Sequence, residues 1–336
     1  MIKKSSKKNQ SIQKLSSIVG IDFGTTATKL VKLKSGGKGS LELIGIEMLP
    51  PVDFEAPVSQ VVLPDELRSN YCALAYSGSS AVVRMVNTPL DADEKTNPQT
   101  KLRGLLNVGE DFRASASLLV RGAGKKDSSL LAAAVPLKDV EYMLKMFPSG
   151  PPAPASLEVS GLSFITAFLN AHGSDCKDST VCLVEAGETV THYAFISKGT
   201  IVLLGKFAFG GRTLRKKLAS DLGVDEELAA SILEDRSINI STSINAVMNP
   251  FVKQLSISKD FIERHQGCRV EKFYASGGLS LLSGWVSEFG SMVHTDVETW
   301  NPLNNIEVDS SVISPELEKE ATRFSAAIGA AIGGIL

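Results

Sequence analysis

A chain of 336 residues that is 43% hydrophobic and 21% charged can bury a sizeable core, which excludes whole-chain disorder, and its length points to two lobes. The formal charge of −2 conceals an asymmetry: Lys3, Lys4, Lys7, Lys8 and Lys14 stand in residues 1–14 with no acid, so removing these five leaves −7 on the remainder. Over the whole chain acids and bases nearly balance and aromatic residues are not interleaved with basic ones, so no nucleic-acid footprint is read beyond that segment.

Taken in chain order, residues 1–17 are expected to be a disordered basic tail. It lacks the apolar stretch of about 7–15 residues that a secretory signal needs. Two roles stay open for it: a solvated arm, or a segment attracted to anionic lipid or another acidic surface at roughly 1 kcal/mol per charge. Val19-Gly-Ile-Asp-Phe-Gly-Thr-Thr-Ala-Thr28 then reads as an apolar strand, an acid, a Gly turn and the start of a second strand running to Lys34. The same spacing returns at Cys182-Leu-Val-Glu-Ala-Gly-Glu-Thr-Val-Thr191, with a second strand running to Ser197. Asp22 pairs with Glu185, Gly24 with Gly187, Thr26 with Thr189 and Thr28 with Thr191, so two related lobes are expected. A third Gly loop, Ala275-Ser-Gly-Gly-Leu-Ser-Leu-Leu282, follows a strand and opens a helix, where backbone N–H groups and the helix dipole favour an anion.

The Pro148-Ser-Gly-Pro-Pro-Ala-Pro154 run marks a boundary. Ala326 to Leu336 is too short and too Gly-rich to cross a membrane and reads as a helix packed closely on another element; no run reaches the ~18 apolar residues of a spanning helix. Cys72, Cys176, Cys182 and Cys268 form no C-x-x-C pair, and His172, His192, His265 and His294 no metal-binding spacing, so reduced thiols are expected.

Gly at a hairpin tip lets backbone approach a ligand, and successive small residues can aim N–H groups at phosphate oxygens. An acid just before the tip suits a hydrated Mg²⁺. With these residues in hand, Val19 to Lys29 resembles the phosphate-1 loop of the actin/Hsp70/FtsA superfamily, Val184 to Thr191 its phosphate-2 loop and Ala275 to Leu282 its adenosine loop. Within that superfamily, Ser129 to Val140, Phe209-Gly-Gly-Arg-Thr-Leu-Arg215 with Leu222 to Ala229, Trp300-Asn-Pro-Leu303 and Phe324 to Ile335 resemble the PilM family. The resemblance covers about 18–336.

It implies an α/β, two-lobed actin-like ATPase (ribonuclease H-like) fold with a nucleotide cleft between the lobes and a 1C-type inserted subdomain. The expected division is 18–83 with 151–178 for subdomain 1A, 84–150 for 1C, 179–210 with 269–336 for 2A, and 211–268 for 2B. The expected ligand is ATP or ADP with Mg: Gly24, Thr25 and Thr26 as backbone or hydroxyl donors, with Gly187, Thr189, Gly277 and Gly278 in the two other loops. Asp22 and Glu185 would hold Mg through water. Lys29 is either a phosphate contact or an exposed strand charge. Glu158 is either the acid of the lobe-connecting helix or a charge on that helix's dipole.

Two departures bear on catalysis. The phosphate-2 acid is Glu185 rather than Asp, with Glu188 where a small residue is usual, and a misplacement of about 1 Å can cost on the order of 100-fold in rate. Aligning the lobe-2 helix puts Ala230 and Leu233 where relatives carry polar residues for ribose and base. At most a weak ATPase is therefore expected. The function implied is a cytoplasmic adaptor, peripheral at the inner membrane, for a type IV pilus or related secretion machine, binding the N-terminal cytoplasmic peptide of a bitopic PilN-like protein. Other pilus assembly proteins, and self-association, complete the expected partners. The rival readings are an active ATPase or kinase of the same fold, an FtsA-like filament former and a nucleotide-free scaffold.

Overall fold

The computed structural model describes residues 15–89, 98–122, 127–234, 240–282 and 284–335. The expected basic tail lies outside the described residues as far as position 14, and Ser17 already belongs to the first strand.

Strand β1 (Ser17–Phe23) turns through Gly24–Ala27 into β2 (Thr28–Ser35), antiparallel, with Asp22 opposite Lys29; β3 (Leu41–Leu49) pairs with β2, and β4 (Tyr71–Tyr76) lies parallel on the free side of β1. Both faces of β1 are covered, which is why it reads as a continuous apolar run. Strand alternation sends Val19, Ile21 and Phe23 into one core and Ile18 into another, so Gly20 and Asp22 share the face of Ile18.

The chain then leaves this sheet for β5 (Val82–Thr88), α1 (Pro98–Leu106), β6 (Phe112–Val120) and β7 (Ser128–Pro136), a three-stranded sheet in the order β5-β7-β6 with its own small core of Leu106, Ala114, Ala132 and Ala134. This sheet begins at Val82, two residues before the expected start of the insert. Helix α2 (Leu137–Lys145) follows, and Met143, Met146 and Phe147 pack with Val19 and Ile21 of the first lobe; β8 (Ala153–Val159) rejoins its sheet parallel to β4.

Helix α3 (Ser160–His172) leads into the second lobe, where β9 (Thr180–Ala186), β10 (Thr191–Ser197) and β11 (Thr200–Phe207) form a meander. Helices α4 (Gly211–Leu222), α5 (Glu226–Glu234) and α6 (Ser241–Gln266) follow, then β12 (Val270–Ser276), parallel to β9, α7 (Trp285–Val293) and β13 (Val297–Thr299). The last strand, β14 (Glu307–Val308), returns to β3 and completes the first sheet as β14-β3-β2-β1-β4-β8, against β11-β10-β9-β12-β13 in the second lobe. Hairpin plus parallel third strand thus occurs twice, and Glu185 faces His192 in the register that sets Asp22 against Lys29.

After α8 (Pro315–Lys319), capped by Ser314, the closing helix α9 (Ser325–Ile335) is buried almost throughout. It packs on α3, and one core joins Ile18 and Val31 of the first sheet, Phe164 and Phe168 of α3, Leu183 and Ile196 of the second sheet, and Ile328 and Ile332 of α9. Two glycines permit this contact: a Cβ on Gly329 would overlap the Ser163 carbonyl of α3, and one on Gly20 the Ala327 carbonyl of α9. Gly329→Ala is therefore expected to lower stability by roughly 3 kcal/mol or more by overpacking two backbones. Gly104→Ala in α1, where a Cβ meets open space, should raise it by about 0.5–1 kcal/mol. Urea midpoints of the two variants check both signs.

Candidate functional site

The tips of the two equivalent hairpins face one another across a cleft of about 570 Å³. Asp22, Gly24, Thr25, Thr26 and Lys29 line it from the first lobe, and Glu185, Gly187, Glu188, Thr189, Gly277 and Gly278 from the second. All the expected site residues except Glu158 therefore meet in one place.

Asp22, buried at the end of β1, is the most heavily tied group in the cleft. Its Oδ1 accepts hydrogen bonds from Ser77 Oγ (2.8 Å) and Ser160 Oγ (3.0 Å), and its Oδ2 pairs with Lys29 Nζ at 3.3 Å. Lys29 is only 11% exposed at its side chain, so it is a cleft residue and not an exposed strand charge. Glu185 accepts from Ser325 Oγ, at the start of α9, at 2.7 Å. Burial raises its carboxyl to about 7, with the Asp22 charge adding and Ser325 and Lys29 opposing. Burial pushes His192 down to about 4, so its imidazole is neutral at pH 7; its Nδ1, 3.8 Å from Glu185, makes neither an ion pair nor a hydrogen bond.

At the tip of the second hairpin, Glu188 grips Arg215 of α4 with both oxygens, Oε2 lying 3.1 Å from Nη1. The Gly187 and Glu188 carbonyls accept the N–H groups of Gly211 and Arg212, closing the first turn of α4 onto the tip. Ala230 and Leu233 of α5, with Leu281 and Leu282, add apolar lining to the same cleft, which also holds Arg323 and Glu320, paired at 2.8 Å. The two expected substitutions on α5 thus do line the cleft.

Two sequence expectations need correction. Gly24 is not a free donor, because its N–H bonds the Asp22 carbonyl at 3.0 Å; likewise Gly187 donates to Val190 and Gly277 to Thr322. What these glycines supply is room: a Cβ on Gly24 would strike Lys29 Nζ, and Gly277, at φ +83°, lies against Ala186. Glu158 sits on the last turn-in of β8, not on the connecting helix, and its carboxylate accepts from Ser163 Oγ at 2.9 Å beside Gly333 of α9. Burial raises its carboxyl from the ordinary value, with Ser163 opposing. Ser160, two residues on and on the same side, is what α3 presents to the cleft. Ser77 and Ser160 were not read from the sequence; the only signal for Ser77 is its place directly after a strand, in the small-residue stretch Ser77-Gly-Ser-Ser80.

The family model described as Type IV pilus assembly protein PilM matches residues 159–335, from the end of β8 to the end of α9 and more than half of the chain. The chain belongs to the PilM family. A chain of a solved PilM-PilN type IV pilus biogenesis complex superposes with a TM-score of 0.81 at 19% identity, covering 96% of this chain and 99% of that one. That likeness extends the fold over the first lobe and the insert, which the family match leaves out, so the architecture is the actin-like fold of the PilM family. Lower similarity is found to the ethanolamine utilization protein EutJ from Carboxydothermus hydrogenoformans (17% identity, 94% and 89% covered, TM-score 0.47). The activator of the 2-hydroxyisocaproyl-CoA dehydratase from Clostridium difficile, with bound ADPNP, follows at 13% identity, 95% and 94% covered, TM-score 0.42.

For this PilM-family cleft, the donor set fits Mg²⁺ only at one remove. Among the described residues no group of three His, Cys, Asp or Glu converges, and both oxygens of Asp22 are engaged, so Asp22 and Glu185 would hold such an ion through water and not directly. The pH dependence has a definite sign. Glu185 is raised when folded, so its contribution is complete below 4.5 and lost as pH rises towards 7. His192 is lowered, so its contribution is complete above 6.5 and lost as pH falls towards 4. The two oppose each other between. Glu185→Gln removes the Glu185 slope and leaves the others, that of His192 included, so its melting temperature relative to wild type should climb from pH 5 to pH 8; a falling difference would contradict the assignment.

Proposed function

We propose that this chain is a nucleotide-binding adaptor of a type IV pilus or related secretion machine. In this reading the inter-lobe cleft holds ATP or ADP with Mg, and a separate surface captures the cytoplasmic N-terminal segment of a bitopic, PilN-like inner-membrane protein, which would place the chain at the cytoplasmic face. The single observation that carries the nucleotide half is the convergence of two equivalent Gly-tipped hairpins and the Gly277-Gly278 loop on one cleft that also has apolar lining. The base would lie against Ala230, Leu233, Leu281 and Leu282, and the phosphates between the tips. Membership of the PilM family, and the fold shared with a chain of a PilM-PilN complex, support the adaptor half. Among the described residues no helix is long and apolar enough to cross a membrane, so a membrane-embedded partner would supply the link.

Turnover is expected to be slow or nil. Glu185 is one methylene longer than the Asp usual at this place and its carboxylate is held by Ser325 Oγ at 2.7 Å, and a displacement of about 1 Å from the water-orienting position can cost on the order of 100-fold in rate. Thermal melting with saturating Mg-ADP or Mg-ATP should raise the transition, since ligand at 100 times its Kd adds about 2.7 kcal/mol. Asp22→Asn, which keeps the size and loses the charge, should reduce that rise. Phosphate release should be no faster in wild type than in Glu185→Gln. No rise at millimolar nucleotide would instead favour a nucleotide-free scaffold, and clear turnover the enzyme reading. The adaptor half is tested separately by titrating the N-terminal peptides of bitopic pilus proteins from the same genome; absence of binding to all of them would remove it.

A further inference from the structure

The charges of the cleft are already spoken for. Among the described residues each Lys or Arg that lines it has an acidic partner: Lys29 with Asp22, Arg215 with Glu188, and Arg323 with Glu320. The second of these pairs stands at the tip end, where Glu188 replaces the small residue that a phosphate-cradling tip would be expected to carry. Its carboxylate is 12% exposed, meets Arg215 as a two-point fork, and lies 3.9 Å from Nε of the half-exposed Arg212. It is also close against the first turn of α4, since a Cβ on Gly211 would come within 2.7 Å of Glu188 Oε2. A carboxylate there satisfies the same demands that a phosphate oxygen would: a planar guanidinium and the positive end of a helix.

We propose that Glu188 is a built-in anionic competitor that makes the cleft select nucleoside diphosphate over triphosphate. This rests on the nucleotide reading of the cleft. In that reading the base would lie against the apolar lining of Ala230, Leu233, Leu281 and Leu282, and the phosphate chain would run to the hairpin tips, with its terminal group between them. A third phosphoryl group therefore brings its added negative charge to the place where Glu188 already holds Arg215. Taking Arg215 for itself would strip Glu188 of its partner and leave two anions side by side. A diphosphate places less charge there and leaves the pair intact.

The test measures Kd for Mg-ADP and for the Mg complex of a non-hydrolysable ATP analogue by calorimetry, in wild type, Glu188→Gln, Glu188→Ala and Glu188→Gln/Arg215→Met, with melting curves to establish that each is folded. Wild type should prefer the diphosphate. Both Glu188 variants should tighten triphosphate binding by about tenfold, the worth of one charge-assisted contact, and move diphosphate binding by less than about threefold. The double variant should lose that gain, because the released cation is gone. An unchanged ratio in both single variants, an equal gain for the two nucleotides, or a wild-type preference for triphosphate overturns the proposal. Binding of neither nucleotide by any variant overturns the reading of the cleft itself, and the proposal with it.

Discussion

The contact on which the rest of the structure depends is the approach of α9 to α3 and β1 at backbone distance. Each lobe has a sheet whose inner face must be covered, and α3 and α9 lie between the two sheets, filling one shared core with Phe164, Phe168, Ile328 and Ile332. Small residues at 20, 327, 329, 330 and 331 let the helices sink close to the sheet, so Asp22 at the end of β1, Ser160 at the start of α3 and Ser325 at the start of α9 arrive at the same cleft. The cleft floor is thus made of the ends of the elements that join the lobes. A change in the α3–α9 spacing would move the partners of Asp22 and Glu185 directly.

The sequence was most legible where it repeats. The two ten-residue segments led to two hairpins in equivalent registers, because an apolar run, an acid, a Gly and small residues restrict local geometry and the duplication makes chance agreement improbable. Chemistry at the cleft was less legible for reasons of scale. Gly24 and Gly187 look like N–H donors because their tips are small, yet each N–H closes its own turn, and no local pattern distinguishes a turn that spends its donor from one that offers it. Glu158 was placed one alternation too early: residues 156, 158 and 160 share a side of β8 and its continuation, but α9 covers Glu158, and only Ser160 clears the edge of the sheet. Ser77 is 55 positions from Asp22, a contact that exists only once β4 has paired beside β1.

The insert is tied to this floor more closely than its separate core suggests. The loop that follows β4 starts with Ser77, which holds Asp22, and ends at Ala81, directly before β5. Between them Lys206 of β11 reaches across from the second lobe and donates to the carbonyls of Ser79 (2.6 Å) and Ala81 (2.8 Å). Burial lowers the Lys206 pKa from its ordinary value, while the two carbonyls favour its charged form. Five residues therefore touch the cleft acid, the second lobe and the inserted sheet. Tyr76, just before them, adds a hydrogen bond to Asp139 of α2, so the helix that closes the insert is anchored to the same stretch of chain.

That geometry limits how the lobes can move. The α3–α9 layer can act as a hinge because its contacts are apolar and distributed, and small rotations cost each of them little. The Lys206 contacts are few and directional, and a rotation that opened the cleft by lengthening them past about 3.5 Å would forfeit both hydrogen bonds, which water replaces only in part at this exposed side chain. Opening is therefore easier if the loop 77–81, and β5 with it, travels with the second lobe. In that motion Ser77 would be drawn from Asp22 while Ser160 and Lys29 stayed, so the charge environment of the acid at the phosphate end would change with the position of the insert.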